Sequence, residues 1–264
     1  MIYLNVFFSI IFIAILFRLI YKKIFICGFL KITFGEYSIK RIKYNFNNDV
    51  IDELKQIAIN SVDIVPNNPF FYGKNLSNKI ILIIYHKNKP VGFNVMFDYK
   101  YMNYKCLHIG LVLVDKNYMG KKLQNLTKYN IIFYLIENIF SNIYISDLGR
   151  SASGLKIFNN SVKNSYPNIK YNNPNNKIYK NIFNYFLTNF REDTQISSIA
   201  TCDDNTFIIK KSNNKEGNGA NYLLNFENSR RSSDNIYNNY IEDNLEIEDE
   251  VLSIGKINIF NLFF

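Results

Sequence analysis

The chain has 264 residues, of which 48% are hydrophobic and 20% charged, so it fits one large domain, or one domain with appendages, that buries a real core. Its net charge of +9 is spread along the chain with no block of five or more lysines, which reads as a solvated surface, and nucleic acid is not expected as a partner. Cys27, Cys106 and Cys202 are far apart and His86 and His108 lack partners at ligand spacing, which excludes a disulfide scaffold and leaves no metal site to expect.

Met1 to Phe17 is apolar apart from Asn5 and Ser9, and Arg18, Lys22 and Lys23 follow. As a helix, Met1 to Tyr21 would span roughly 31 Å at ~1.5 Å per residue, close to a hydrocarbon core of about 30 Å. The charges follow the apolar run and no A-x-A site appears, which favours a retained transmembrane anchor over residues 1–23 rather than a cleaved signal. The lysines place the body of the protein on the cytoplasmic side of a membrane. Residues 24–35 form a juxtamembrane segment; its apolar part, Ile24 to Leu30, is compatible with a longer helix, an interfacial stretch or the start of the core.

From residue 36 onward, strands and helices alternate. Tyr37–Tyr44 alternates apolar and basic residues as a half-buried strand does. Asn48 or Asp49 caps a helix with Val50, Ile51, Leu54, Ile57 and Ala58 on one stripe. Pro66–Gly73 (PNNPFFYG) is a loop with aromatics free to be exposed. Lys79–His86 and Val91–Tyr99 form a hairpin across Lys87-Asn88-Lys89-Pro90. Lys105–Val114 is the central strand. Leu123–Phe140 is a long helix, with Leu126, Phe133, Ile136 and Phe140 at helical spacing. Then come a short strand at Ile143–Ser146, a helix at Gly149–Asn160, a helix at Ile178–Phe190, and strands at Thr206–Lys210 and Val251–Phe260. Residues 212–249 are rich in Asn, Ser, Gly and charge and read as a disordered insertion.

The stretch Leu107–Leu126 is the most informative. A strand feeds a glycine-containing turn into a helix N-terminus, where unpaired N–H groups and the helix dipole favour an anion, and Lys121 and Lys122 add charge. A phosphate-bearing ligand is the first expectation.

The order of elements and this turn resemble the GNAT superfamily of acyl-coenzyme A-dependent acyltransferases, over roughly Tyr37–Phe260. In that family the turn after the fourth strand reads (Gln/Arg)-x-x-Gly-x-(Gly/Ala), and its amides hold the coenzyme A pyrophosphate. Here it reads Asn117-Tyr118-Met119-Gly120-Lys121-Lys122: Gly120 matches, Asn117 replaces Gln or Arg, and Lys122 replaces the second small residue. The resemblance implies an α/β (α+β) fold with a mixed, mostly antiparallel central sheet flanked by helices, and the N-terminal transmembrane helix read from residues 1–23 would precede it. It implies acetyl-CoA or another acyl-CoA as acyl donor, bound by Val114, Asn117, Tyr118, Met119, Gly120, Lys121 and Lys122, and an unidentified amine acceptor. His108 on the central strand, or Asp98, would serve as base, and Tyr166 as the acid that protonates the leaving thiolate. Ser146, Asp147, Arg150 and Ser151 would flank the cleft, with Ser146 or Asp147 suited to cap the next helix. The departures at Asn117 and Lys122 leave open a catalytically inactive, membrane-tethered binding or scaffold protein of the same fold.

Overall fold

The computed structural model describes residues 30–44, 46–121, 123–171, 176–220, 222 and 231–257. The expected anchor over residues 1–23 lies outside them. Among the described residues no helix is long and apolar enough to cross a membrane.

A ten-stranded sheet runs in the order β1-β2-β3-β4-β5-β6-β10-β9-β8, with β7 pairing β10. The strands are β1 Leu30–Phe34, β2 Tyr37–Lys43, β3 Lys79–His86, β4 Lys89–Tyr101, β5 Tyr104–Val114, β6 Ile143–Gly149, β7 Ser165–Tyr166, β8 Thr201–Asp203, β9 Ile208–Lys210 and β10 Glu250–Ile257. Among the described residues five α-helices flank it: α1 Asn48–Val62, α2 Gln124–Glu137, α3 Ala152–Ser161, α4 Lys177–Phe190 and α5 Asn235–Asn244. All pairs but β5–β6 are antiparallel, so the mixed, mostly antiparallel sheet flanked by helices matches the expected class.

β3 reads KIILIIYH and is buried along almost its whole length, as a strand covered on both faces must be. On one face Ile81, Ile83, Phe93 and Val95 pack with Leu54 and Ile57 of α1 and with Phe70 and Phe71. Further along that face, Phe97 and Tyr99 pack with Ile182, Phe183 and Phe186 of α4. On the other face Ile80, Met96, Leu107 and Ile145 meet Tyr134 and Leu135 of α2 and Phe158 of α3. The β3–β4 turn is two residues, Lys87 and Asn88, both at positive φ, the geometry that matches strand twist.

Several expectations need correction. The side chain of Asn47, not of Asn48 or Asp49, accepts from the Val50 amide and caps α1. PNNPFFYG is a short 3₁₀ turn that buries Phe70 and Phe71 and leaves only Tyr72 of the three aromatics exposed. Ser151, rather than Ser146 or Asp147, caps α3 by accepting from the Gly154 amide; β6 runs on to Gly149, so the capping position falls later. Residues 30–34 of the expected juxtamembrane segment form β1 and pair with β2. The stretch 212–249 is not an uninterrupted disordered insertion. Ser212 and Asn213 are buried, and α5 seats Tyr237 with Leu155 and Val251. A few well-spaced apolar residues anchor a segment whose average composition is polar.

Candidate active site

β5 and β6 start in parallel register and then part. Their pairing runs from Lys105↔Ile143 to Ile109↔Asp147. Beyond that rung each strand stays bonded to its outer neighbour, β5 to β4 as far as Gly92↔Val114 and β6 to β10 as far as Val251↔Gly149. The inner edges are left facing each other across an open fork, with backbone donors and acceptors that no neighbouring strand pairs. A bulge sets the divergence. Asn94 pairs Val112 but Met96 pairs Ile109, so Val95 stands opposite both Gly110 and Leu111, and a bulge bends and twists its strand. Gly110 is required there, because a Cβ would lie 2.7 Å from the Val95 carbonyl oxygen.

The fork opens into a cleft of about 1040 Å³ that reaches both faces of the sheet. One limb meets the corner after β5. Asp115, fully buried, organises that corner: its Oδ1 accepts from the Asn117 amide (2.9 Å) and side chain (3.0 Å), and its Oδ2 accepts from Asn60 Nδ2 (3.1 Å). Gly120 adopts φ +80, and a Cβ there would meet nothing within 4 Å. Among the described residues no side chain caps the N-terminus of α2, which follows Leu123. Val114, Tyr118, Met119 and Gly120 line the cleft, with Asn125 and Lys128 from α2. Asn117 and Lys121 are exposed beside it, Asn117 folded onto Asp115 and Lys121 with its Nζ 4.6 Å from the Tyr118 ring centre. The expected role of Lys122 lies outside the described residues. The site holds the features a diphosphate-bearing group needs: a helix start open at its amides, a glycine beside open space, and cationic side chains.

His108 lines the other side of the fork. It is buried, its Nδ1 lies 3.0 Å from Ser146 Oγ, and the Phe186 ring lies 4.5 Å from its own. Burial, helped by the nearby Lys79 charge, pushes its pKa down to about 3. An imidazole held neutral by burial is a weak acceptor for an ammonium proton near neutral pH, so the surroundings of His108 do not favour the expected role as base. Asp98 accepts from the Tyr44 hydroxyl (3.0 Å) and is not among the cleft residues. Tyr166 is also outside the cleft lining. It pairs with Ile254 through β7, donates its hydroxyl to the Asn205 carbonyl and packs edge-on to Phe207, so the fold does not bring the expected acid to the fork.

The titratable group that the fold does bring there is Asp147, on the last paired rung and in the cleft wall. Burial, and then the charge of Glu250, raises its carboxyl to about 7. Glu250 also lines the cleft and is itself raised by burial, against a hydrogen bond from Ser212 Oγ. Nothing local in the run Ile145-Ser146-Asp147-Leu148 marks this carboxyl; the signal is tertiary.

No protein-family model and no curated protein matches the chain. Solved structures do resemble it over part of its length. An aminoglycoside acetyltransferase from an uncultured soil metagenomic sample is 17% identical, with TM-score 0.33, over 42% of this chain and 77% of its own. A putative acetyltransferase from Pyrococcus horikoshii is 19% identical, with TM-score 0.35, over 48% of this chain and 43% of its own. A ribosomal-protein-alanine N-acetyltransferase from Brucella melitensis biovar Abortus 2308 is 13% identical, with TM-score 0.28, over 36% and 68%. At such identities and scores these likenesses assign no residue. Each of these three structures carries an acetyltransferase name, and each likeness covers less than half of this chain.

Proposed function

We propose that the protein transfers an acyl group from acyl-coenzyme A to an amine. The observation that carries this reading is the fork between β5 and β6, which opens where parallel pairing stops and joins the glycine corner in one cleft. The corner amides and Lys128 hold the diphosphate of the donor. Acyl-CoA supplies the activated thioester carbon; the unpaired backbone of β5 beyond Ile109 orients it and stabilises charge on its oxygen. Asp147, its carboxyl raised by burial and by the charge of Glu250, takes the proton of the incoming amine, directly or through a water. His108 and Ser146 form a fixed, uncharged wall beside it.

Thermal denaturation with acetyl-CoA tests the reading. At 100-fold excess over its dissociation constant the ligand should add about 2.7 kcal/mol to stability; an unchanged Tm with every acyl-CoA tried would sink it. Gly120→Val puts a branched side chain into open cleft space and strains a left-handed backbone. We expect a folded protein whose acetyl-CoA affinity falls about 100-fold or more, since several backbone hydrogen bonds to the phosphates go with the nest. Titration of the variant by calorimetry checks this.

The anchor over residues 1–23 is a proposal from its sequence alone, as is a cytoplasmic site for the catalytic body. Alkaline carbonate washing of membranes carrying the full chain should leave it in the pellet. Recovery in the wash would remove the anchor.

A further inference from the structure

The second limb of the cleft, on the α1 and α4 face of the sheet, holds a buried ion pair that catalysis does not use. Lys79 of β3 is 1% exposed yet lines the cleft. Its Nζ donates to Asp193 Oδ1 (2.8 Å) and to Asn78 Oδ1 (3.1 Å), and lies 4.4 Å from the centre of the Phe97 ring. Asp193 also lines the cleft, and its side chain is 10% exposed. Among the described residues no hydrogen bond reaches its Oδ2. The backbone carbonyl of Asp193 accepts from Asn68 Nδ2 (2.8 Å), which ties the end of α4 to the 3₁₀ turn and fixes the pair in place.

The pair stands in register with the fork. Lys79 pairs Phe97, Phe97 pairs His108, and His108 pairs Ser146 across four neighbouring strands. Ser146 is one residue before Asp147. The limb is otherwise walled by apolar and aromatic groups, Val62, Phe70, Phe97 and Tyr222 among them, with the polar Ser61, Asn68, Thr194 and Gln195 between them.

A buried pair of opposite charges that keeps one acceptor oxygen and one N–H on an aromatic face is complementary to a ligand carrying both signs close together. A ligand with two positive charges would meet Lys79 as a like charge. A simple anion would meet Asp193 in the same way, and a neutral amine would leave the third N–H of Lys79 with only the Phe97 ring. We infer that Lys79 and Asp193 select the acceptor: a free α-amino acid with an apolar or aromatic side chain, its carboxylate on Lys79 and its amino group between Asp193 and the fork. This rests on the acyl-transfer reading above. In the step itself the ammonium first gives one proton to Asp147, which passes it to solvent; the freed amine nitrogen then bonds to the acyl carbon, the carbon–sulfur bond breaks, and a second N–H proton goes to the departing sulfur. The products are an N-acyl amino acid and free coenzyme A.

The test uses the full chain, acetyl-CoA and two matched pairs: phenylalanine against phenethylamine, and leucine against isopentylamine. Release of free thiol is followed together with the Tm shift on acetyl-CoA alone. We expect at least one amino acid to be acetylated with kcat/KM about 100-fold or more above that of its decarboxylated partner, as for a site built around a polar group that the analogue lacks. Lys79→Arg, which keeps the charge, should retain this preference in part. Lys79→Gln should raise KM for the amino acid more than tenfold while leaving the amine within about twofold. Equal use of amine and amino acid overturns the inference. So does acetylation of neither by a protein whose Tm still rises with acetyl-CoA. Loss of the Tm shift itself removes the acyl-transfer reading first.

Discussion

Asp147→Asn is expected to lower kcat by about 10²–10⁴ while leaving acetyl-CoA affinity nearly unchanged, because it removes the proton acceptor without touching the corner that holds the donor. In the unmutated protein kcat/KM should rise with pH through an apparent pKa near 7, the value to which burial and Glu250 bring this carboxyl. The asparagine variant should lose that rise. The same shift has a sign for stability. A carboxyl whose pKa is raised in the folded state holds its proton there more tightly than in the unfolded chain. Its contribution is therefore fully favourable below its ordinary value of 3.8, and it is lost as pH rises through about 7. The loss is on the order of a few kcal/mol, at about 1.4 kcal/mol per pKa unit. Asp147→Asn should accordingly be more stable than the parent at pH 8 and show a flatter dependence between pH 4 and 8 by urea titration. A variant that unfolds more easily at pH 8, with full activity, would remove Asp147 from the site. Glu250→Gln separates the two sources of the shift. With the neighbouring charge gone, the activity profile should move to lower pH, because the Asp147 carboxyl then ionises more readily.

Gly110→Val should cost roughly 2–4 kcal/mol and abolish acyl transfer. The added Cβ would stand 2.7 Å from the Val95 carbonyl oxygen, a backbone atom that cannot rotate away. Relief requires the bulge to shift, and the bulge is what turns β5 away from β6. Urea denaturation measures the stability term, and acetyl-CoA titration of the protein that remains folded measures the fork. Gly149→Val is the control. It sits on the opposite arm in the same cleft, but a Cβ there would meet nothing within 4 Å. Its effect on stability should stay within about 1 kcal/mol. A Gly110 variant as stable and active as the parent would mean that the bulge does not set the divergence.

What the sequence by itself determined is what local pattern encodes. The alternation in Tyr37–Lys43, the apolar run from Lys79 to Tyr85 and the helical stripes of α1 and α4 each follow from period and burial alone. The turn from Val114 to Gly120 was legible as a strand-to-helix corner, because a buried apolar run ends there and a glycine at positive φ precedes the next helix. The base was not legible. His108 attracted attention because its ordinary pKa suits proton transfer, but burial under Phe186 and the charge of Lys79 weaken that capacity. Asp147 reads in sequence as a residue that flanks the cleft and is suited to cap the next helix. Its carboxyl is raised because the fold buries it and, in second place, because β10, from the far end of the chain, pairs with β6 and places Glu250 nearby. Tyr166 misled for the same reason: proximity in the chain after a strand says nothing about which cavity a side chain enters. Tertiary structure alone decided which charges are desolvated and which strands part. Both depend on elements that meet across long sequence separations, where no periodicity carries information.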